Sequence, residues 1–349
     1  MSHKVLMCGN EACGEGAIMA GCKFYAGYPI TPQNELTAYM AKRLNETNGV
    51  FIQAESELAA INMVLGAACV GERAMTSSSS PGISLKQEGI SYLAGCELPC
   101  VIANMQRGGP GLGNIAPSQG DYFQAVKGGG HGDYKIIVLA PSSAQELLEF
   151  TYLAFDLADK YRNPVMILGD GLLGQMMEPV HINMDLVPLK VEKPWALTGC
   201  EGRKPNIIRS LLLPDGALEE HNKKLQKKFA GIRETEIRFQ GLHTKESEIT
   251  LVAYGSVARI AKAGMELARS KGLKVGLIRP ITLWPFPDKA LEEACAKTKK
   301  FLVLEMSAGQ MVEDVKLAVN GRAEVAFYGR MGGGIPDEEE ILRQIESLI

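Results

Sequence analysis

The sequence predicts an α/β protein with an open parallel sheet in its N-terminal half and a second, smaller α/β domain at its C-terminal end. Short, continuously apolar strand candidates alternate with helical stretches, a pattern typical of a parallel sheet covered by helices on both faces. The pattern stops in the middle of the chain and then returns. The length of 349 residues also suits two or three domains.

The N-terminal elements predict one domain over residues 1–178. Its clearest helix is Gln145–Lys160, where apolar side chains recur at close to helical spacing, and Asn163-Pro164 then leads into a strand. A helix over Glu11–Gly21 follows the first strand. The strand candidates are Val5–Cys8, Phe24–Tyr28, Cys100–Met105, Lys135–Leu139 and Pro164–Leu168.

The middle of the chain predicts a long connector over residues 179–246. Prolines recur through it and apolar periodicity is weak, apart from one charged helix near Leu218–Arg233. Order then returns, so residues 247–349 are predicted to form a second open α/β domain. Its strand candidates are Ile249–Tyr254, Lys274–Ile278 and Phe301–Leu304, and its helix candidates are Val257–Ser270, Asp288–Lys297 and Met311–Val319.

Charge and hydropathy exclude several classes of protein. The formal net charge of -3 gives no broad attraction for nucleic acid or anionic membranes. No apolar run reaches the roughly 18 residues that a transmembrane helix needs. Because Met1–Lys4 does not lead into a signal-peptide core, we expect a cytoplasmic protein.

Eight cysteines are scattered through apolar segments and are expected to be buried thiols, not a disulfide framework. Ferredoxin-type clusters need closely grouped thiolates, whereas Cys96 and Cys100 are separated by three residues and Cys8 and Cys13 by four. Any iron–sulfur cluster that serves this protein is therefore expected in another chain.

The first candidate binding segment is Tyr28-Pro29-Ile30-Thr31-Pro32, at the end of a predicted strand, where open parallel sheets bind ligands. Its prolines stiffen the turn and hold Thr31, whose hydroxyl suits an anion at the next helix N-terminus. Taken alone, the segment also fits a plain strand-to-helix connection with Thr31 as a cap.

The second candidate is Glu55-Ser56-Glu57, which precedes the helix Leu58–Cys69. That helix is apolar on nearly every side and is expected to be buried, in the core or against another subunit. A carboxylate in the first turn gains from the helix dipole, which is a purely structural reason for both glutamates. A buried glutamate is costly unless it pairs or shares a proton, so the functional alternative is a carboxyl group that meets a ligand nitrogen.

The third candidate is the loop Asn104–Asn114 after an apolar strand. Its four glycines permit close backbone approach, and Arg107 offers a planar fork that fits a carboxylate. A flexible loop with Arg107 in water is the structural alternative. His131, in the glycine-rich segment Gly128–Asp133, is expected to be a structural or lining residue, because no nucleophile is near in sequence.

Together these segments resemble the alpha subunit of the 2-oxoacid:ferredoxin oxidoreductases, over nearly the whole chain. Within the family the resemblance is greatest to the branched-chain form, which uses 3-methyl-2-oxobutanoate. It implies a thiamine-pyrimidine-binding type of parallel-sheet domain, followed by a domain of the transketolase C-terminal type. The segments that carry the resemblance are Tyr28–Pro32, Glu55–Ala68, the serine run ending at Pro81-Gly82, Met105–Asn114, Gly128–Asp133, Asn163–Gly171 and Thr250–Pro287.

The resemblance implies thiamine diphosphate as the cofactor and Glu57 as the carboxyl group against N1' of its aminopyrimidine ring. A carboxyl group there favours the imino form of the ring, which removes the proton from the reactive carbon of the cofactor. Glu55 is the nearby competitor for this role, and only the placement of the helix separates the two. Tyr28 and Pro29 would line the cofactor pocket.

By the same resemblance, Thr31 and Arg107 would bind the carboxylate of the substrate, with Ile30 lining the pocket. The implied reaction is oxidative decarboxylation of a 2-oxoacid to acyl-coenzyme A and carbon dioxide, with electrons passed to ferredoxin. The implied partners are a beta-type subunit that binds the diphosphate and Mg²⁺, a gamma subunit and a ferredoxin-like delta subunit. Iron–sulfur clusters would lie only in partner subunits, and the assembly would be a hetero-oligomer.

The segment Gly169-Asp170-Gly171 resembles the start of the magnesium–diphosphate motif of thiamine enzymes. That motif needs an ensuing helix and a later asparagine ligand, whereas Met176–Pro179 interrupts any helix and the window near Trp195–Gly199 holds no asparagine. We therefore interpret it as a structural turn, and no metal ligand is predicted in this chain.

Other functions remain as alternatives. The chain could serve a pyruvate or 2-oxoglutarate enzyme, a non-oxidative thiamine decarboxylase, or a scaffold that binds partners without contributing catalysis. A nicotinamide-dependent dehydrogenase is disfavoured, because Gly14-Glu15-Gly16 lacks the third glycine of the dinucleotide motif at the required spacing.

Overall fold

The computed structural model describes residues 2–183 and 185–349, so Met1, which opens the first predicted domain, and Met184, in the predicted connector, lie outside the described residues. The strands are β1 (Ser2–Cys8), β2 (Phe24–Gly27), β3 (Val50–Gln53), β4 (Ala74–Ser78), β5 (Cys100–Gln106), β6 (Ile137–Leu139), β7 (Pro164–Asp170), β8 (Met177–Asn183), β9 (Phe239–Leu242), β10 (Ile249–Val252), β11 (Val275–Pro280), β12 (Thr282–Trp284), β13 (Lys300–Glu305) and β14 (Glu324–Gly329). The α-helices are α1 (Gly9–Met19), α2 (Asn34–Glu46), α3 (Glu57–Cys69), α4 (Ser80–Gly95), α5 (Ala144–Tyr161), α6 (Gly171–Gln175), α7 (Ala217–Thr235), α8 (Gly255–Ser270), α9 (Asp288–Ala294), α10 (Met311–Val319) and α11 (Glu338–Glu346).

The N-terminal half forms a sheet that we call the main sheet, with the strand order β12-β6-β7-β5-β4-β2-β3. Its neighbours pair in parallel, except that β12 pairs antiparallel with β6. Helices cover both faces, which is why every residue of β5 and β7 is buried and why these strands show no polar alternation. The predicted parallel α/β domain is confirmed.

The C-terminal part forms a second sheet with the order β14-β13-β10-β11-β9. The first four strands are parallel, and β9 pairs antiparallel with β11. This is the second, smaller open α/β domain that the sequence predicted. Among the described residues, no helix has both the length and the apolar character needed to cross a membrane.

Two features differ from the sequence pattern. The strand predicted at Val5–Cys8 is outside the main sheet, because β1 pairs antiparallel with β8 in a two-stranded ribbon. In addition, most of β8 and all of β9 lie in the segment predicted as a connector. Strand β8 alternates between buried and more exposed residues, and β9 is largely exposed, so neither shows the continuous apolar run on which the strand predictions rested.

Buried hydrogen bonds join the two sheets around Gln119. Its backbone N–H donates to the carbonyl of Met306 at 2.8 Å, and its side chain accepts from the Met306 N–H at 3.0 Å. The side-chain Nε2 donates to the carbonyl of Tyr254 at 2.9 Å. One residue thus holds the strand ends of the second sheet against the loop that follows β5.

Candidate active site

Ligand-binding groups are expected where the chain reverses direction across the main sheet. Strand β3 lies on one side of β2, while β4 and β5 continue on the other side, so a topological switch point lies between β2 and β4. Open parallel sheets bind ligands outside the carboxyl ends of the strands at such a point. We call this region the carboxyl edge. Tyr28–Pro32, Glu55–Glu57, Ser79 and Arg107 all follow strands that end there.

Glu57 is the first residue of α3 and is buried, with 6% of its surface exposed, whereas Glu55 is exposed. The helix begins here because Ser56 is its N-cap and accepts a hydrogen bond from the Ala59 N–H at 3.1 Å. This cap fixes which glutamate turns inward. Of the two carboxyl groups between which the sequence could not decide, Glu57 is therefore the one placed against the interior.

Helix α4 lies against the Glu57 carboxylate because it has a glycine at the contact. A Cβ atom on Gly82 would lie 2.6 Å from Oε1 of Glu57 and 2.1 Å from Oγ of Ser78, distances that no real side chain tolerates. Pro81 is in the first turn of the helix, where its missing N–H costs nothing. Gly82 thus lies against both the Glu57 carboxyl group and the Ser78 hydroxyl.

The Glu57 carboxylate receives no hydrogen bond from any residue that the structure describes. The hydroxyls of Ser78 and Ser79 are also buried without a partner in the same part of the chain. Buried polar groups in native proteins are nearly always hydrogen-bonded, so such orphaned groups call for an explanation. A ligand with ring nitrogens and an amino group would supply the missing partners.

Lys86 is a part of this region that the sequence did not single out. It is fully buried, one helical turn beyond Gly82, and its Nζ donates to Oγ1 of Thr76 at 2.8 Å. Burial lowers the pKa of the Lys86 ammonium to about 7, and the negative charge of Glu57 partly offsets that shift. Because Lys86 belongs to α4 and Thr76 to β4, this hydrogen bond joins the helix to the strand.

Arg107 and Thr31 are in contact at the carboxyl edge. The Nη1 atom of Arg107 donates to the carbonyl of Thr31 at 3.0 Å, and Nη2 donates to the carbonyl of Leu112 at 3.1 Å. The Nε atom of Arg107 is buried without a hydrogen-bond partner in the described part of the chain. The Thr31 hydroxyl accepts a hydrogen bond from Asn34 at 3.2 Å, beside the start of α2. A guanidinium oriented in this way can still donate to an anion.

The remaining predicted residues lie on the open side of the region. Tyr28 and Pro29 are exposed, and Ile30 is half-buried. A cavity of about 540 Å³ lies elsewhere, between α7 and α10, and is lined by residues such as Arg233 and Trp284 but by none of these three. Tyr28, Pro29 and Ile30 thus lie at the carboxyl edge and outside that cavity.

Asp170 is buried, and both of its carboxylate oxygens have partners within the chain. One accepts from the N–H groups of Leu172 and Leu173 at 3.0 Å, which caps the short helix α6, and the other accepts from the Ser256 hydroxyl at 2.6 Å. Burial raises its pKa, and these hydrogen bonds oppose the shift. Both carboxylate oxygens of Asp170 are thus engaged by groups of this chain.

His131 is exposed and contacts the edge of the Tyr92 ring, with ring centroids 6.1 Å apart, a contact that agrees with a structural role. Each of the eight cysteines lies in the described residues and carries a free thiol, but the expectation that all are buried is wrong, because Cys200 is exposed and three others are half-buried. Among the residues described, no group of three or more histidine, cysteine or acidic side chains is arranged to hold a metal ion.

Helices cover both faces of the main sheet, and polar side chains lie at its carboxyl edge, which is where α/β enzymes of this architecture bind their ligands. The profile of the family described as pyruvate flavodoxin/ferredoxin oxidoreductase, thiamine diphosphate-binding, matches residues 15–236, and that of pyruvate:ferredoxin oxidoreductase core domain II matches residues 247–341. The chain belongs to the family of thiamine diphosphate-binding 2-oxoacid:ferredoxin oxidoreductases, in agreement with the resemblance seen in the sequence.

Two relatives show which enzymes of the family have subunits similar to this chain. The chain is 50% identical to the ketoisovalerate oxidoreductase subunit VorB of Methanothermobacter marburgensis, over 97% of this chain and 96% of that protein. It is 39% identical to the 2-oxoglutarate synthase subunit KorA of Methanocaldococcus jannaschii, over 97% of this chain and 98% of that protein.

Solved structures agree with the fold. The 2-oxoglutarate:ferredoxin oxidoreductase from Magnetococcus marinus, solved with 2-oxoglutarate, coenzyme A and succinyl-CoA, superimposes with a TM-score of 0.88 at 27% identity. The match covers 99% of this chain and 65% of that longer chain. A split-gene transketolase in an inactive β4 tetramer matches with a TM-score of 0.63 at 14% identity, over 98% of this chain and 97% of that chain, and shows the fold alone.

Proposed function

We propose that this chain holds the aminopyrimidine end of thiamine diphosphate in a branched-chain 2-oxoacid:ferredoxin oxidoreductase. The observation that carries the proposal is the buried Glu57 carboxylate, to which no described residue donates a hydrogen bond, on the same sheet edge as Arg107. The branched-chain substrate is supported by the relatives, since a ketoisovalerate enzyme subunit is 50% identical and a 2-oxoglutarate synthase subunit is 39% identical.

Bound thiamine diphosphate supplies the carbon nucleophile that attacks the keto group of the substrate. Glu57 holds a proton at N1' of the aminopyrimidine and so favours the imino form of the ring, which needs a carboxyl group free of other partners. Glu57 meets this requirement, because nothing in the described chain donates to it. Tyr28 and Pro29 contact the cofactor from the open side of the carboxyl edge.

Arg107 and Thr31 bind the substrate carboxylate in this proposal. The unpartnered Nε of Arg107 is available for it, as is the second N–H of Nη1 and of Nη2, which each donate once to a backbone carbonyl. The Thr31 hydroxyl adds a second donor. Ile30 supplies apolar surface, and exclusion of water from the carboxylate assists the loss of carbon dioxide.

The rest of the catalytic machinery is assigned to partner subunits. Asp170, the residue most similar to a magnesium ligand of thiamine enzymes, is occupied by a helix cap and by Ser256. A beta-type subunit therefore binds the diphosphate and Mg²⁺, and gamma and ferredoxin-like delta subunits carry the iron–sulfur clusters. Two electrons reach ferredoxin one at a time, and the acyl group passes to coenzyme A. We also place this hetero-oligomer in the cytoplasm, where free thiols such as these persist.

Co-purification with the neighbouring subunits, followed by viologen-dye reduction with a 2-oxoacid and coenzyme A, tests the catalytic role. We expect Glu57→Gln to lose at least 100-fold of the wild-type kcat, about the size of a general acid–base contribution, with assembly preserved. Glu55→Gln is the matched control and should keep nearly full activity, because its side chain is exposed. Full activity in an assembled Glu57→Gln complex would reduce the chain to a non-catalytic scaffold.

The same assay, run with several substrates, tests the reaction and its specificity. The highest kcat/KM is expected for 3-methyl-2-oxobutanoate, ahead of 2-oxoglutarate and pyruvate. A preference for 2-oxoglutarate would replace the branched-chain assignment. Release of carbon dioxide without reduction of dye or ferredoxin would instead indicate a non-oxidative decarboxylase.

A further inference from the structure

Lys86 is a buried charge for which the fold alone gives no reason. None of its surface is exposed, and lysine is almost never fully buried unless it is paired. Within residues 2–183 and 185–349 it makes one hydrogen bond, to Thr76, which uses one of the three donors of an ammonium group. A methionine of similar volume would fill the same space without the cost of burying a charge.

Two separate spacings direct Lys86 toward Glu57. On α4, Lys86 follows Gly82 by four residues, so both face the same side of the helix, and Gly82 lies directly against Oε1 of Glu57. On β4, Thr76 precedes Ser78 by two residues, so both face the same side of the sheet, and Ser78 also lies against Gly82. Lys86 therefore lies on the same side of α4 as Gly82, its hydrogen-bond partner lies on the same side of β4 as Ser78, and the charge of Glu57 acts on its ammonium.

We infer that Lys86 is a positioning residue for Glu57, whose buried ammonium stabilises the ionised carboxylate facing the cofactor ring and so favours the proton on N1'. The inference rests on the proposed function, since it assigns a task to a residue that acts on the proposed catalytic acid.

Other charged groups near Lys86 are few or lie in water. Asp121, in the loop after β5, accepts hydrogen bonds from Ser80, the first residue of α4, at 2.7 Å and from Asn104 of β5 at 2.9 Å. Burial raises the pKa of Asp121. Glu55 and Glu88 are exposed. Glu57 is thus the carboxylate whose field acts on Lys86. Because the pKa of Lys86 is about 7, its ammonium form and the activity that depends on it decline as the pH rises through neutrality.

The test compares kcat and KM of assembled complexes across pH 5.5 to 9.5, a range of roughly two units on either side of the Lys86 pKa. We expect Lys86→Met to lose at least 10-fold of kcat at neutral pH with KM changed less than twofold, and to lose the alkaline decline of the wild type. Lys86→Gln, which keeps donors but not the charge, should behave in the same way. Lys228→Met is the control, because that lysine is also largely buried but pairs with Glu97.

A second readout needs no cofactor and no activity. In the isolated chain, the melting-temperature shift of Lys86→Met is measured in the wild-type and in the Glu57→Gln background, and the two shifts should differ by at least about 2 °C if the side chains interact. The shift of Lys228→Met should be the same in both backgrounds. This cycle decides the question if the Lys86→Met complex does not assemble.

The outcomes separate the two proposals. Wild-type kcat and pH profile in an assembled Lys86→Met complex, or equal melting shifts in the two backgrounds, would overturn the role of Lys86 and leave the proposed function intact. Retained activity of Glu57→Gln would remove the proposed function itself, whatever Lys86 does.

Discussion

At the scale of single residues, Gly82 sets how closely α4 approaches the Glu57 carboxylate. We expect Gly82→Ala to destabilise the chain by about 1–3 kcal/mol, because its Cβ would overlap Ser78 and Glu57 and force both to move. Activity of the assembled complex should fall at least tenfold, since Glu57 would be displaced. Urea unfolding and dye reduction measure the two effects.

The control for that change is Gly66→Ala in the neighbouring helix α3. Nothing lies within 4 Å of a Cβ at this position, so alanine should stabilise the helix by up to about 1 kcal/mol. If both substitutions had the same effect, the close approach at Gly82 would not be what constrains the residue.

The buried ammonium of Lys86 gives the stability of the chain a distinct pH dependence. Its pKa of about 7 in the folded state is below the ordinary lysine value, so the unfolded chain binds more protons between the two pKa values. The free energy of unfolding should therefore rise as the pH is raised from about 7 toward 10, by up to about 1.4 kcal/mol per pH unit. Urea unfolding at several pH values measures it, and parallel curves for wild type and Lys86→Met would contradict the prediction.

The residues of the candidate site differ in how far sequence could identify them. Thr31 and Arg107 follow predicted strands, and Glu57 precedes a predicted apolar helix, so their approximate positions could be anticipated. Lys86 could not, because a single lysine in a helix ordinarily faces water. A signal was nevertheless present, since Ile83, Lys86 and Ile90 are spaced along one apolar side of the helix.

At the scale of elements, the short helix α6 depends on one side chain. We expect Asp170→Ala to destabilise the protein by about 2–4 kcal/mol, because it removes the cap of α6 and leaves the buried Ser256 hydroxyl without its acceptor. The exposed Asp215→Ala serves as the control and should change stability by less than about 0.5 kcal/mol. A metal-ligand role for Asp170 would instead make the loss depend on added Mg²⁺.

Strands with a continuous apolar run could be predicted from the sequence, whereas strands that depend on hydrogen bonds to a partner strand could not. Strands β5 and β7 are buried on both faces, and their composition shows it. Strands β8 and β9 exist because a partner strand aligns with them, β1 in the first case and β11 in the second. Such pairing joins residues far apart in sequence, which local periodicity does not report.

At the scale of the whole molecule, Gln119 joins the two sheets. Replacing it with leucine would leave the Met306 N–H buried without its acceptor and would remove one of the two donors to the Tyr254 carbonyl, which keeps the Ala258 N–H at 3.2 Å, and we expect a loss of about 1–3 kcal/mol. The C-terminal part should then loosen at lower urea than the main sheet, which calorimetry or hydrogen exchange would resolve as a second transition. A single unchanged transition would mean that other contacts carry the interface.

The division into two α/β domains followed from the sequence, but their interlocking did not. Strand β12 has three residues, between Pro280 and Pro285, and no local pattern indicates that it leaves its own domain to pair with β6. The buried hydrogen bonds of Gln119 are equally invisible, because a glutamine in a loop has many other possible roles.

The crossing of β12 limits how the chain can be divided. A fragment that stops near residue 178 would lose the strand that covers β6, whose three residues are all buried in the intact chain. The unpaired backbone N–H and C=O groups of β6 could then pair with a strand of a neighbouring molecule, so we expect the fragment to aggregate. For the same reason, a chimaera that takes its C-terminal half from a relative needs a β12 that pairs with the β6 of the other parent. The two halves are therefore expected to be exchanged together more readily than separately.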